Sequence, residues 1–276
     1  MIRNKSGIFL FNIIPSYRPG MKDVFDFGFY KLLCTPSLSQ RIKQNALFTS
    51  FENEVGNGLS SLDLLYVMAT DGTSTYARIN WKDPGTFNAT AFNSPTFTSN
   101  IGFSGNASNQ YLDSGWDPVN NGVNFTLDEC GVFCYVNNNH SSGNKAAVGF
   151  RGNGGGALLG QVILLPKDTG DQHAFSLQNV APGVGSSVSA NGFYHFRRVA
   201  DNDLRLFKNG SQVGATQTTA SDSLSNQDLY ILALNANGGG AALFSDAQVG
   251  IVGAGASLTG KEANLYTAWN DYFSSL

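Results

Sequence analysis

From residue 63 onward the chain repeats one pattern: a short apolar run with alternating polar positions, then a cluster of turn formers. The period is two rather than 3.6, so these runs predict strands. "LDLLYVMAT" ends at "DGT", "YARINW" ends at "KDPG", and "ATAFNSPTFTSNIGFSGN" and "QYLDSGW" follow. Further strands are expected in "NFTLDECGVFCYV", "KAAVGFRG", "ALLGQVILL", "AFSLQNV", "SSVSA", "DLYILALN" and "ALFSDAQVGIVGAG". In "NGFYHFRRVADNDLRLFKNGSQVG" two runs flank Ala200-Asp201-Asn202-Asp203 and the second ends at Asn209-Gly210, which reads as a hairpin leading into a third strand. Many short strands without interleaved helices predict a mainly β fold, a two-sheet antiparallel jelly-roll sandwich.

The period changes at both ends. In "LSQRIKQNALFTSFENEV" the residues Ile42, Ala46, Leu47, Phe51 and Val55 recur at helical spacing, Ser37 and Ser39 offer N-cap oxygens, and Gly56 and Gly58 stop the run. Near the C-terminus, Thr259 and Glu262 have capping-box spacing. Leu265, Ala268, Trp269, Tyr272 and Phe273 beyond them form a packing stripe, so "KEANLYTAWNDYFSSL" is expected as a helix sealing one side of the sandwich. The sandwich with its flanking helices spans 37–276, and residues 1–36 are set apart as an N-terminal arm or docking segment.

A chain of 276 residues with 42% hydrophobic content can bury a large core. Its net charge of −3 offers no phosphate-neutralising surface, so nucleic acid is not an expected partner. Charged residues make up only 13% and glycine is abundant, a composition that leans toward extracellular or particle-bound β-proteins. Of three cysteines, Cys130 and Cys134 share a strand face about 13 Å apart, too far to bridge, and are read as reduced and buried. The opening "MIRNKSGIFLFNIIPSY" has a basic start and an apolar run, but Asn12 interrupts it and no small-x-small site precedes Pro15, so no signal peptide is expected. No run reaches the length of a membrane span.

The order "FYHFRRVADNDLRLFKNGSQVG", "DLYILALN", "FSDAQVGIVGAGASLTGKEANLYTAWNDYF" resembles the C-terminal half of a concanavalin A-like, laminin G-type jelly roll. There a strand carrying an arginine passes through a hairpin to an Asn-Gly, and a short helix closes the domain. "YVMATDGTSTYARINWKDPG" and "SPTFTSNIGFSGNASNQYLDSGWDP" are similar to the opening of the version found in bacteriophage and prophage structural proteins. The resemblance implies a non-enzymatic virion protein on the particle exterior, in tail, fibre or head surface, assembled with other virion proteins and in contact with host-surface polysaccharide. The alternative is a carbohydrate-binding module of a secreted or surface bacterial protein; a glycan-active hydrolase ranks third.

Hydrolases of that superfamily place two carboxylates about 5–5.5 Å apart in retaining forms, through a Glu-x-Asp-x-x-Glu strand pattern. The four glutamates here, Glu52, Glu54, Glu129 and Glu262, do not form it. His140, His173 and His195 lack a nucleophile elbow or a zinc spacing. Sugar recognition needs a ring beside amides or carboxylates, because pyranose faces are rich in C–H groups and their edges in hydroxyls. Candidates are Tyr111 and Trp116, then Asn137, Asn138, Asn139 and His140, with Asn153, Asn235 and Asn237 beside the two glycine clusters. No cofactor is required. The metal is left open: Ca²⁺ is an option with Asp168 and Asp171 in "DTGDQH" as weak candidate ligands, and turn chemistry is the stronger account of that cluster.

Overall fold

A computed structural model describes residues 36–276 apart from 57, 153–158, 180–182, 187–188 and 238–239. The arm expected over 1–36 thus lies outside the described residues, except for Pro36. Helix α1 (Leu38–Val55) leads into β1 (Leu62–Val67), β2 (Thr90–Phe92), β3 (Thr96–Thr98), β4 (Gly102–Ser104) and β5 (Tyr111–Asp113). After the single turn α2 (Pro118–Asn121) come β6 (Cys130–Val136), β7 (Val148–Arg151), β8 (Val162–Leu165), β9 (Gln172–Leu177) and β10 (Gly183–Ser186). The hairpin strands β11 (Gly192–Ala200) and β12 (Asp203–Lys208) follow, then β13 (Ser211–Gln217) and β14 (Tyr230–Ile231). The chain ends with β15 (Leu234–Ala236), β16 (Ala241–Ala242), β17 (Gln248–Gly255) and helix α3 (Glu262–Ser275).

The strands form two sheets, as the alternation requires. One has eight strands in the order β13-β12-β11-β6-β17-β4-β3, with β1 also paired to β17; the other has nine, β10-β9-β8-β7-β14-β5-β2, with β15 and β16 attached through β7. All pairs are antiparallel except β15 with β7, so the second sheet is mixed. The inward faces share a core that includes Leu112, Cys130, Cys134, Val148, Leu164, Phe175, Tyr194, Phe196 and Ile231. Cys130 and Cys134 are both free and buried there. "YARINW" is not a strand but a 3₁₀ turn over Tyr76–Arg78 and an irregular segment, because Asn80 accepts from Leu65 N and Lys82 N through its side-chain oxygen and bends the chain back over β1.

The two helices cover the outer face of the eight-stranded sheet, where Leu47, Phe51 and Val55 of α1 and Leu265, Trp269 and Tyr272 of α3 bury Leu65, Val67, Phe133, Phe193 and Ile251. Ser37 caps α1 by accepting from Gln40 N at 3.1 Å, as expected for a serine at that position. The apolar stripe of α1 differs from the sequence reading. Ile42 is 62% exposed and Ala46 is exposed, whereas Gln40 and Gln44 are buried. Gln40 reaches Tyr272 Oη at 2.5 Å, Gln44 donates to Thr70 Oγ1, and Tyr76 Oη donates to Gln44 Oε1. These bonds satisfy amides that an apolar pattern cannot reveal. At α3 the Thr259 capping box does not form: Lys261 is the N-cap residue without a side-chain bond, and Glu262 turns instead to Gly260 N and to the guanidinium of Arg197, at 2.6 Å.

Among the described residues no helix lies over the nine-stranded sheet. Part of its outer face is closed by Leu234 of β15, which packs with Ala146, Ile163, Leu165 and Ala174. Beyond that patch, over β2, β5 and β14, no described element covers the outer face.

Candidate functional site

On β5 and in the residues leading into β14 the same alternation is written twice in opposite directions: Tyr111-Leu112-Asp113 and Asp228-Leu229-Tyr230. Leu112, Leu229 and Ile231 are fully buried. Their neighbours Tyr111, Asp113, Asp228 and Tyr230 therefore stand on the outer face. Antiparallel pairing sets Asp113 directly opposite Tyr230 on one side and Thr90 on the other, and sets Tyr111 opposite Phe92.

That register brings three rings into a row. Phe92 and Tyr111 stack at 4.8 Å with planes 3° apart, and Tyr111 and Tyr230 stack at 4.6 Å. Phe244, tilted by 49°, flanks Tyr111 at 6.1 Å. Spacings this close to the distance between paired strands mean that the rings stand side by side on the sheet. Phe92 is the last ring in the row, on the edge strand, and is 40% exposed. The hydroxyls of Tyr111 and Tyr230 interact with each other, and burial, with nearby acids, raises both phenols, so they remain donors at neutral pH.

Asp113 and Asp228 stand beside the row. One oxygen of Asp113 accepts from Gly115 N at 2.8 Å. Burial raises its carboxyl from the usual value, and that single backbone bond only partly opposes the rise. Asp228 is raised by burial and then by the negative charges of Asp113 and Asp117. Its backbone is fixed by Asn235, whose side-chain amide donates to the Asp228 carbonyl at 3.1 Å. Chemically, the arrangement offers apolar ring surface, phenol donors and carboxylate acceptors on one open face, which is what a sugar ring requires.

Of the residues singled out in the sequence, Tyr111 belongs to this row and Asn235 supports it from below, itself 7% exposed. Trp116 does not: it is wholly buried, edge-on to Phe125 at 5.7 Å, and its ring is core. The Asn137–His140 run is also used internally. Asn137 donates to Ile101 O; Asn138 donates to Asp246 O and accepts from Gln248 N; Asn139 accepts from Ala190 N. His140 is 4% exposed, with Nδ1 2.9 Å from Ser141 O, and burial lowers its pKa. Asn237 is half-buried in the turn between β15 and β16 with φ 27°, and Asn153 lies outside the described residues. Asp168 folds a turn by accepting from Gly170 N and Gln172 N, and Asp171 pairs with Lys167 Nζ at 3.3 Å. The acidic loop is thus built as a turn, and among the described residues no three His, Cys, Asp or Glu side chains converge for a metal ion.

Phe92, Asp113, Asp228 and Tyr230 were missed in the sequence, although the mirrored Tyr-Leu-Asp and Asp-Leu-Tyr triplets carried the signal. Each has an inward leucine between an aromatic and an acid, and only antiparallel pairing of the two brings the four outward side chains together.

No family model and no curated protein matches the chain by sequence. Solved structures do resemble it. A mutant of Trypanosoma rangeli sialidase displaying trans-sialidase activity matches 91% of this chain at 13% identity with a TM-score of 0.56. Trypanosoma rangeli sialidase in complex with sialic acid matches 91% at 13% identity, also at 0.56. The chain spans 39% and 38% of those two sialidase chains. At such identity the likeness is one of fold: a mainly β, two-sheet sandwich. No helix among the described residues is long and apolar enough to cross a membrane.

Proposed function

We propose that this protein is a non-enzymatic glycan-binding sandwich whose contact surface is the open face of β2, β5 and β14. The observation that carries this reading is the row Phe92, Tyr111 and Tyr230, three rings aligned across adjacent strands and left uncovered beside two carboxylates. A fold that only needed a soluble outer face would be better served there by small polar residues, since exposed aromatic clusters mark contact sites. The likeness to a sialidase crystallised with sialic acid, and the resemblance to laminin G-type jelly rolls, both support a sugar ligand. Binding rather than turnover rests on the sequence, whose glutamates do not form the Glu-x-Asp-x-x-Glu strand pattern of the superfamily's hydrolases. The sequence resemblance to phage structural proteins is the support for reading the row as part of a particle exterior that faces host polysaccharide.

The test is a glycan array followed by titration of the positive ligands against Tyr111→Ala and Tyr230→Ala. Each truncation is expected to weaken binding about tenfold or more, the scale of a lost ring contact, with an unchanged circular dichroism spectrum. Binding that survives both changes moves the site elsewhere. Antibody labelling of assembled particles checks the virion placement separately.

A further inference from the structure

The charge on this face selects among glycans. Asp113 and Asp228 lie on the same outward face as the rings, Asp113 two residues from Tyr111 and directly across from Tyr230. Neither forms an ion pair among the described residues. Arg151 is on the neighbouring strand β7, two residues beyond the Gly149 that pairs with Tyr230, yet its buried Nε has no hydrogen-bond partner among the described residues. Asp228 receives no hydrogen bond on its carboxylate from the described residues, and one oxygen of Asp113 is likewise unused. Two partly buried carboxylates beside each other, with no cation among the described residues to answer them, are a cost that those residues do not recover. The pKa shifts agree: burial raises both acids, the charges of Asp113 and Asp117 raise Asp228 further, and no basic side chain is among the groups that perturb them.

Aromatic rings and carboxylates together are the chemistry that recognises an ammonium group. The ring quadrupole attracts the cation, and the carboxylates hydrogen-bond to it. An acidic sugar would add a third negative charge to the same place. We propose that the Phe92–Tyr111–Tyr230 face binds glycans bearing a free, protonated amine, such as de-N-acetylated hexosamines, in preference to N-acetylated or acidic sugars. This specificity rests on the glycan-binding reading above and sharpens it. It also separates this protein from the sialidases whose fold it shares, because sialic acid carries the opposite charge.

The experiment is isothermal titration of the full chain, at mildly acidic pH, with three probes: a glucosamine oligomer, the matching N-acetylglucosamine oligomer, and sialyllactose. The glucosamine oligomer should bind at least about tenfold more tightly than the other two. Asp113→Asn with Asp228→Asn should erase that preference by weakening the glucosamine oligomer about tenfold or more. Added salt should weaken only the amine ligand, as screening requires. Equal or tighter binding of the N-acetylated or sialylated probe, or a preference that survives in the double variant, overturns the proposal and leaves the glycan-binding reading intact. If a folded wild-type chain binds none of the probes and no array glycan, both readings fail together.

Discussion

Asp113 and Asp228 sit where the fold gains nothing from a charge, and this has a measurable sign. An acid raised in the folded state holds its proton more tightly there than in the unfolded chain, so stability is lost as pH rises through the raised value. Asp228→Asn should therefore stabilise the protein at neutral pH. The gain should be no more than about 1 kcal/mol, because both groups are partly solvated, and it should vanish near pH 3. Urea denaturation at the two pH values reads the difference; destabilisation at neutral pH would mean that the carboxylate has a structural partner. A residue that weakens the fold and strengthens binding is the mark of a site. Single-residue reasoning reached Tyr111 but also chose Trp116, because an aromatic residue at a strand end reads the same from sequence whether it faces solvent or the opposite sheet. The asparagine run is ambiguous for a related reason: amides suited to sugar hydroxyls are equally suited to backbone groups, and here they bond the backbone.

At the level of elements, the strands and both helices were legible from periodicity, and the helix contacts were not. Ile42 and Ala46 fit a helical stripe with Leu47, yet α1 turns Gln40 and Gln44 inward because Tyr272, Thr70 and Tyr76, all distant in sequence, supply partners. Likewise Glu262 had the spacing of a capping residue, but Arg197 of β11 claims its carboxylate. That pair joins α3 to the sheet at an almost buried position, with Arg197 also lying over the Phe207 ring at 5.2 Å. Burial alone would raise the Glu262 carboxyl, but its backbone bonds and Arg197 lower it overall. It thus stabilises the fold above the ordinary glutamate range, and the contribution is lost as pH falls through its lowered value. Glu262→Gln leaves the buried Arg197 guanidinium only its longer contact to Asp203, at 4.0 Å, and should cost up to about 3 kcal/mol at pH 7. The expected outcome is a lower urea midpoint at pH 7, with the gap to wild type narrowing below pH 4. Equal midpoints would show that α3 is held by its apolar face alone.

Across the whole molecule, the three histidines set the acid limit, and they do so from three separate places. His195 lies between the eight-stranded sheet and α3, His173 lies in the sandwich interior near Tyr194, and His140 lies beside Asp246. Burial pushes His195 and His173 down to about 4 and lowers His140 as well. Each is neutral in the folded chain, so between its ordinary value and its lowered one the unfolded chain binds more protons. Stability must then fall as pH drops below about 6.5, with the steepest loss near pH 5. Two shifts of this size remove on the order of 5 kcal/mol by pH 4, comparable to the entire stability of many domains. The two raised aspartates act in the opposite direction but are partly exposed and cannot offset it. Denaturation midpoints measured from pH 7 to pH 4 should show uptake of about two protons on unfolding, and His195→Gln combined with His173→Gln should flatten that slope even if it lowers the midpoint at pH 7. A slope unchanged in the double variant would assign the acid sensitivity to carboxylates such as Glu262. The consequence for binding is specific: protonated amines and ionised aspartates coexist at mildly acidic pH, so the window in which the aromatic face can hold its ligand is closed from below by the same interior that supports it.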